Sequence, residues 1–285
     1  MGDQRNRAFD GLRFSAFGLA AACHQVLTEL VSLRMDRDRF ADRADAGRSL
    51  AALLGGYAGR DDVVVLGLPR GGVPVAAEIA RVLGADLDVL VVRKLGVPSH
   101  PELAMGAIAD VGHTVEVVTN DAVIGRLGIT PADFDEVYRS ELRELHRRLD
   151  AYRGSRPAAV VSGRVAIVVD DGLATGATMR AAVAAVRRQQ PSRLIVAVPV
   201  GARDTCAMLR QMVDEVVCAR HPEPFRAVHQ GYRDFSQTSD REVLNLLAAR
   251  RAHTSNATHS AAVPSSRQPG TVSNPSTVNR PSEGR

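Results

Sequence analysis

The residues best suited to chemistry lie together in the segment VAIVVDDGLATGATMR, residues 165–180. Five apolar residues lead directly into two adjacent carboxylates, Asp170 and Asp171. A loop of small and hydroxyl-bearing residues follows, and it contains Ala174, Thr175, Gly176, Ala177 and Thr178. Small residues let backbone N–H groups approach an oxyanion, and the N-terminus of a following helix adds partial positive charge. The loop therefore predicts a phosphate site that needs no lysine.

The two carboxylates restrict what this site could hold. Two negative charges beside a bound phosphate would repel it unless another group lay between them. Ribose hydroxyls, which donate hydrogen bonds, and a divalent metal ion are the two obvious candidates for that group. A phosphorylated sugar would satisfy both the acidic pair and the phosphate loop.

Three competing motifs are absent from the sequence. A P-loop requires Gly-Lys followed by Ser or Thr, but the single lysine, Lys94, lies between Arg93 and Leu95. The turn GLPRGG does not match GxGxxG, and no G-x-S-x-G elbow occurs. The sequence therefore lacks the signatures of P-loop kinases, dinucleotide dehydrogenases and serine hydrolases.

The basic residues are almost all arginine. Lysine and arginine together number 36, and only Lys94 is lysine. A guanidinium group cannot reproduce a compact ammonium charge, so Lys94 is a candidate for a role that requires lysine. The formal net charge of +4 is spread thinly along the chain, which permits nucleic-acid binding without indicating it. We expect no nucleic-acid partner.

The cysteines and histidines form no recognisable metal motif. Cys23, Cys206 and Cys218 include no CxxC pair, and the eight histidines include no HxxxH pair. This pattern predicts unpaired thiols in a reducing, cytoplasmic compartment and gives no support for a structural zinc site.

The two ends of the chain differ from its middle. Residues 1–34 start basic and then become apolar, but polar interruptions make them a poor signal peptide or membrane anchor. We interpret them as an N-terminal extension, either an amphipathic helix or the product of a start codon upstream of Met35. Residues 251–285 are rich in Ser, Thr, Asn and Pro, which predicts a disordered tail. Residues 35–250 form the predicted domain.

Within that domain, short apolar runs alternate with helical patterns. Runs that are apolar throughout predict buried strands of a parallel sheet with helices on both faces, which is an α/β fold. Such runs occur after Asp62 and at residues 87–92, 165–169, 194–198 and 215–219.

Two insertions interrupt this alternation. The segment AMGAIADVGHTVEVVTN predicts a hairpin that turns near Gly112. The segment TPADFDEVYRSELRELHRRLDAYR predicts a long helix with Thr130 as its N-cap, Pro131 at its first position and Asp133 completing a capping box. Its apolar face is typical of a packing or dimerisation helix.

Several segments together resemble the type I phosphoribosyltransferases. The apolar run, the two acids and the following [ST]-G-x-[ST] are similar to the family's phosphoribosyl diphosphate signature. The segment GLPRGGVPVA resembles its diphosphate-binding loop, with Arg70, Gly71 and Gly72 as candidate contacts. The segment VVRKLG resembles its second strand, which ends in a basic residue. Together with HPELAMGAI and PEPFRAVHQGYRDFSQTSDREV, these segments extend the similarity over roughly residues 36–247. Their combination is similar to a bacterial subgroup of the family whose acceptor is unassigned.

The resemblance implies a fold, a reaction and partners. The implied fold is a type I phosphoribosyltransferase-like parallel sheet flanked by helices, with an inserted hairpin, a long inserted helix and a small hood. The implied reaction is a Mg²⁺-dependent displacement at the anomeric carbon of phosphoribosyl diphosphate, in which diphosphate leaves and an acceptor, usually a ring nitrogen, arrives. The implied partners are these small molecules and a second copy of the chain, in a role in nucleotide metabolism.

The resemblance also implies roles for individual residues. Asp170 and Asp171 would hold the ribose 2′- and 3′-hydroxyls near a Mg²⁺ ion that is bound mainly through the substrate. The small-residue loop would hold the 5′-phosphate. The leaving diphosphate would be stabilised by Arg70, Lys94, the Gly71 and Gly72 backbone and, as a further contact, Arg93. Alternatives are a helix-capping role, which explains one acid rather than two, and a solvated loop position for Arg70.

The acceptor side is less well specified. Phe225, Tyr232 and Phe235 follow the last predicted strand, where the family has its acceptor-binding hood. Either base stacking, with Phe225 and Tyr232 as contacts, or ordinary core packing would explain them. His229 stands where the subgroup usually has glycine. Two rival functions share the same loop: a phosphoribosyl diphosphate sensor that regulates a nucleic acid or protein, and a hydrolase that uses water as acceptor.

Overall fold

A computed structural model describes residues 39–249, except 113, 155 and 156. Its strands are β1 (Val63–Gly67), β2 (Asp86–Val89), β3 (Val92–Val97), β4 (His100–Val111), β5 (Thr114–Thr119), β6 (Val165–Val169), β7 (Arg193–Val200) and β8 (Glu215–Arg220). Its helices are α1 (Arg43–Leu53), α2 (Gly72–Leu83), α3 (Asp121–Leu127), α4 (Pro131–Arg153), α5 (Ala177–Arg188), α6 (Arg203–Leu209) and α7 (240–249). Short 3-10 turns cover Gly55–Tyr57 and Val228–Gly231.

The centre of the fold is a five-stranded parallel sheet in the order β2-β1-β6-β7-β8. Every residue of β1 and β6 is buried, as the apolar runs predict. Alternate residues face opposite layers: Val65 and Ile167 pack in the layer that contains α1 and α2, whereas Leu66 and Val168 pack in the layer that contains α5 and α6. This two-sided burial confirms the predicted α/β fold class.

A second sheet is antiparallel, with the order β3-β4-β5. The hairpin of β4 and β5 confirms the turn predicted near Gly112, which has a positive φ of 56°. The apolar run at 87–92 was expected to be one strand of the parallel sheet, and this expectation is wrong. The parallel strand β2 ends at Val89, and the chain then enters β3, which pairs with β4.

The long helix α4 begins as the sequence predicts. Thr130 and Asp133 form the complete capping box, in which the Asp133 N–H donates to Thr130 Oγ1 at 3.2 Å and the Thr130 N–H donates to Asp133 Oδ2 at 3.1 Å. At the other end, the buried guanidinium of Arg153 binds Asp88 of β2 and Asp110 of β4. The helix therefore joins the two sheets.

Residues 221–239, which we call the hood, follow β8 and cross the start of the domain. The Phe40 N–H donates to the Gly231 carbonyl at 2.8 Å, and the Arg233 N–H donates to the Phe40 carbonyl at 2.8 Å. The predicted N-terminal extension (1–34) and disordered tail (251–285) lie outside the described residues, so the domain boundaries at 35 and 250 remain predictions. No helix in the described part of the chain is both long and apolar enough to cross a membrane.

Candidate active site

The acidic pair lies at the carboxyl edge of the parallel sheet. Asp170 and Asp171 follow β6 directly, between the loop after β1 and the turn after β7. The Leu68 N–H donates to the Val169 carbonyl at 2.8 Å, and the Leu173 N–H donates to the Val200 carbonyl at 2.8 Å. Loops after three neighbouring strands are thus held together at the edge where α/β proteins bind ligands.

The two carboxylates have different partners. Asp170 Oδ1 accepts a hydrogen bond from the Asp171 N–H at 2.9 Å. Asp171 Oδ2 accepts from Arg43 Nε at 2.9 Å and lies 2.8 Å from the second guanidinium nitrogen, Nη2. The side chains of Arg43 and Asp171 are only 12% and 17% exposed, so solvent screens this ion pair little.

Arg43 is a site residue that the sequence did not reveal. It begins α1, directly after the N-cap Asp42, and lies 128 residues from Asp171 along the chain. Its Nη1 also donates to the Ser236 carbonyl at 2.6 Å, and its guanidinium carbon lies 4.0 Å from the centre of the Phe235 ring. Arg43 therefore connects the acidic pair to the hood.

The environment of the acids disfavours two full negative charges. Burial and the neighbouring Asp171 raise the pKa of Asp170 well above its ordinary value. Burial also raises the pKa of Asp171, although the Arg43 guanidinium opposes that shift. Asp170 forms no salt bridge with any described residue, so hydroxyl donors or a cation placed beside it would stabilise its ionised form.

The loop after β1, which contains Gly71 and Gly72, packs directly against the two acids. A Cβ atom on Gly71 would lie 1.9 Å from Asp171 Oδ2, and one on Gly72 would lie 2.6 Å from the Val169 carbonyl oxygen and 2.9 Å from Asp170 Cα. Both positions therefore require glycine. The peptide bond between Pro69 and Arg70 is cis. Arg70 is half-buried in this loop and forms no salt bridge with any described residue.

The small-residue loop leads into α5 as predicted. Gly176 is its N-cap, with a positive φ of 74°, and it has no side chain that could bind the first N–H groups of the helix. Ala174, Thr175, Ala177 and Thr178 are exposed, whereas Gly176 is buried. Thr205 Oγ1 donates to the Ala174 carbonyl at 2.7 Å, which fixes the back of the loop. Uncapped N–H groups and exposed hydroxyls at one helix start can bind an oxyanion.

The two basic residues of VVRKLG do not lie where the sequence predicted. Lys94 was expected at the end of a parallel strand, but it lies inside β3, opposite Ala107. Its ammonium nitrogen is 3.2 Å from the Glu102 carbonyl and 4.0 Å from the Glu102 carboxylate. Arg93 forms a salt bridge with Glu141 of α4 at 2.6 Å. The misplacement follows from the early end of β2, which moves the whole segment into the antiparallel sheet.

The aromatic residues of the hood differ in how far they are buried. Tyr232 is only 3% exposed and packs between Phe40 and Phe235, with ring centres 5.8 and 5.0 Å away. Its hydroxyl donates to the Asp171 carbonyl at 2.5 Å. The expectation that a base could stack on Tyr232 is therefore corrected, because the ring is enclosed and supports the acidic backbone. Phe225 is half-buried in the same group.

Residues 37–233 match the family described as the phosphoribosyl transferase domain. The chain belongs to this family. This membership confirms the type I phosphoribosyltransferase resemblance, which the acidic pair and its loops carried in the sequence.

The relatives of this phosphoribosyltransferase domain support the same membership. Two curated Mycobacterium tuberculosis proteins, "Putative phosphoribosyl transferase MT0597" of strain CDC 1551 / Oshkosh and "Putative phosphoribosyl transferase Rv0571c" of strain H37Rv, are each 51% identical over 214 residues. Those alignments cover 75% of this chain and 47% of each relative, so the chain spans about half the length of these curated proteins. The crystal structure of TT1426 from Thermus thermophilus is 40% identical, with a TM-score of 0.66, and the match covers 74% of this chain and 98% of that one.

Proposed function

We propose that this chain transfers the phosphoribosyl group of 5-phosphoribosyl 1-diphosphate to a nitrogen heterocycle, with Mg²⁺ as cofactor and diphosphate as leaving group. The observation that carries the proposal is the packing of Gly71 and Gly72 on Asp170 and Asp171. This packing brings together the two parts that a sugar diphosphate requires, a hydroxyl-binding acidic pair and an anion-binding glycine loop. The exposed start of α5 supplies a third part, for the 5′-phosphate.

The acidic pair is suited to a ribose rather than to a phosphate. Ionised carboxylates accept hydrogen bonds, and the ribose 2′- and 3′-hydroxyls donate them. Binding of these hydroxyls would stabilise the charge that burial now disfavours on Asp170. Arg43 already holds Asp171, so it fixes the orientation of one acceptor before the sugar binds.

The residues also fit a magnesium ion that arrives with the substrate. The partly buried acids at the sheet edge include Asp170, which forms no salt bridge with any described residue. Hard oxygen ligands of this kind suit Mg²⁺, which is commonly held through one or two carboxylates and the substrate's phosphates. When bound, the ion would supply positive charge that offsets the growing negative charge of the leaving diphosphate.

Catalysis in this proposal is electrostatic. The ribose gains positive charge as the bond to diphosphate breaks, and the negative charges of Asp170 and Asp171 lie beside it. Arg70 and the N–H groups of the glycine loop would stabilise the diphosphate. Lys94 and Arg93 remain candidates for the same role, and the contact of Lys94 with Glu102 is exposed and long enough to exchange easily.

The acceptor and the cellular setting extend the proposal. The hood lies beside the acidic pair, so an acceptor ring would enter next to Phe225 rather than against the enclosed Tyr232. We place the reaction in the cytoplasm, in nucleotide metabolism, with a homodimer as the assembly and without nucleic acid or membrane as partner.

The test uses the full chain with phosphoribosyl diphosphate and Mg²⁺. Calorimetric titration should show binding of wild type that is lost in the double variant Asp170→Asn with Asp171→Asn, while the exposed control Asp61→Asn binds normally. Diphosphate release is then measured with purine, pyrimidine and small aromatic acceptors. Acceptor-dependent release supports the transferase, release without acceptor indicates a hydrolase, and binding without release indicates a sensor. Unchanged binding by the double variant would contradict the site assignment.

A further inference from the structure

Three side chains with sulfur or imidazole donor atoms meet behind the loop proposed for the 5′-phosphate. Cys206 lies in α6, Cys218 lies in β8, and His221 follows β8 at the start of the hood. One donor atom from each lies within 4.8 Å of the other two. The spacing of these residues gave no metal signature, because α6, β8 and the hood bring them together only in the folded chain.

The distances in this cluster suit a tetrahedral metal ion. Cys218 Sγ and His221 Nδ1 are 3.7 Å apart. Zinc bonds of about 2.3 Å to sulfur and about 2.0 Å to nitrogen give ligand separations of roughly 3.5–3.8 Å in a tetrahedron. The cluster therefore needs only a small contraction to surround an ion.

The space between the sulfurs depends on a glycine. A Cβ atom on Gly201 would lie 2.9 Å from Cys206 Sγ and 3.2 Å from Cys218 Sγ. Both thiols therefore face the same position above the end of β7, and any other residue there would obstruct it. This is an independent sign that the two sulfurs converge on one point beside Gly201.

The donor set distinguishes this cluster from the proposed magnesium site. Two sulfurs and an imidazole are soft or borderline ligands, which favour Zn²⁺ over Mg²⁺. No carboxylate or further histidine joins the group within residues 39–249, as far as these are described. Cys206 is buried, whereas Cys218 and His221 are half-buried, so water can reach the open side.

We propose that Cys206, Cys218 and His221 bind one Zn²⁺ ion, with water as its fourth ligand. Binding releases the thiol protons to solvent, and it replaces two existing contacts. These are the 2.9 Å contact of His221 Nδ1 with the Gly201 carbonyl and the 3.3 Å contact of Cys218 Sγ with the Arg220 carbonyl. The imidazole then carries its proton on Nε2.

The ion would fasten α6 to β8 and so stabilise the loop in front of it. Thr205, the neighbour of Cys206, donates to the Ala174 carbonyl, and a Cβ atom on Gly176 would lie 2.6 Å from Thr205 Cγ2. The zinc site is thus separate from the proposed reaction but in contact with the loop proposed for the 5′-phosphate. Zinc binding can be measured without any substrate.

The experiment uses full-length reduced protein prepared without oxygen. After incubation with Zn²⁺ and gel filtration, metal analysis should find about one zinc per chain, and Co²⁺ should give the near-ultraviolet charge-transfer band of thiolate ligands. Cys218→Ser and His221→Asn should each weaken zinc binding at least tenfold, whereas the exposed control His229→Asn should not change it.

A second measurement uses wild-type protein, so it tests the site even where a variant fails to fold. Zn²⁺ should slow alkylation of Cys206 and Cys218 in wild-type protein, as read by mass spectrometry. Substoichiometric zinc together with no thiolate band in the reduced wild type would overturn the proposal. Full zinc retention by folded Cys218→Ser, or an unchanged alkylation rate, would also overturn it.

Discussion

Substitution of Gly71 tests whether the glycine loop and the acidic pair form one site. In Gly71→Ala the new Cβ would lie 1.9 Å from Asp171 Oδ2, 2.6 Å from Asp171 Cγ and 3.1 Å from Arg43 Nε. Ordinary contact begins near 3.4 Å, so the carboxylate and the loop must separate by about 1.5 Å. That movement would break the mostly buried contact between Asp171 and Arg43.

The expected cost follows from this displacement. Overpacking of this kind destabilises a protein by about 1–3 kcal/mol, which lowers Tm by roughly 2–4 °C per kcal/mol for a domain of this size. A misplacement of about 1 Å at a reacting centre can reduce activity about 100-fold. We therefore expect a modest loss of Tm with a much larger loss of binding or turnover of phosphoribosyl diphosphate.

Two further variants make the result interpretable. Gly125→Ala is the matched control, because a Cβ atom there meets nothing within 4 Å and the residue lies in α3. It should leave binding intact and raise stability slightly, as alanine favours a helix more than glycine does. Gly71→Ala combined with Asp171→Gly removes the clash with the carboxylate but leaves the mostly buried Arg43 without its partner, so Tm should stay low and binding should stay lost. Wild-type binding and Tm in Gly71→Ala would refute the reasoning.

Two other expectations concern the acidic backbone and its charge. Because the pKa of Asp170 rises from an ordinary 3.8 to about 8, the folded protein keeps a proton that the unfolded chain has lost between these values, and stability falls as pH rises through that window. Asparagine cannot ionise, so the Tm of Asp170→Asn should exceed that of wild type by a margin that grows towards about pH 8. Calorimetry of the ligand-free proteins measures this margin. Plots of Tm against pH that run parallel for the two proteins would contradict the expectation. Tyr232→Phe keeps the ring but removes the hydroxyl that binds the Asp171 carbonyl, which should lower the free energy of unfolding by about 1–3 kcal/mol in denaturant titration. No loss of stability would show that the hydroxyl does not support the site.

The sequence predicted those parts of the site that depend on neighbouring residues. Asp170, Asp171 and the following loop are contiguous, and binding of the proposed sugar phosphate would constrain all of them at once. The capping box of Thr130 and Asp133 is also local, since both partners belong to one helical turn. Such features can be predicted because sequence distance and spatial distance nearly coincide.

The parts that the sequence missed depend on contacts between distant segments. Arg43 reaches Asp171 across 128 residues, and no periodicity links the two. Lys94 was misplaced because an apolar run does not show where one strand ends and another begins: residues 90 and 91 separate β2 from β3. Cys206 and Cys218 were set aside for want of a motif, yet adjacent elements place their sulfurs together.

The buried charges around Arg153 fix one end of the inserted antiparallel sheet to the parallel sheet. Arg153 anchors the root of that sheet, where Asp110 of β4 meets Asp88 of β2, and breaking a buried pair of this kind costs about 3–5 kcal/mol. The opposite end, at residues 98–103, is exposed, and a cavity of about 360 Å³ separates it from the first half of α4. Loss of the Arg153 contacts would therefore act where the two sheets join, at the end of the inserted sheet farthest from the exposed residues 98–103.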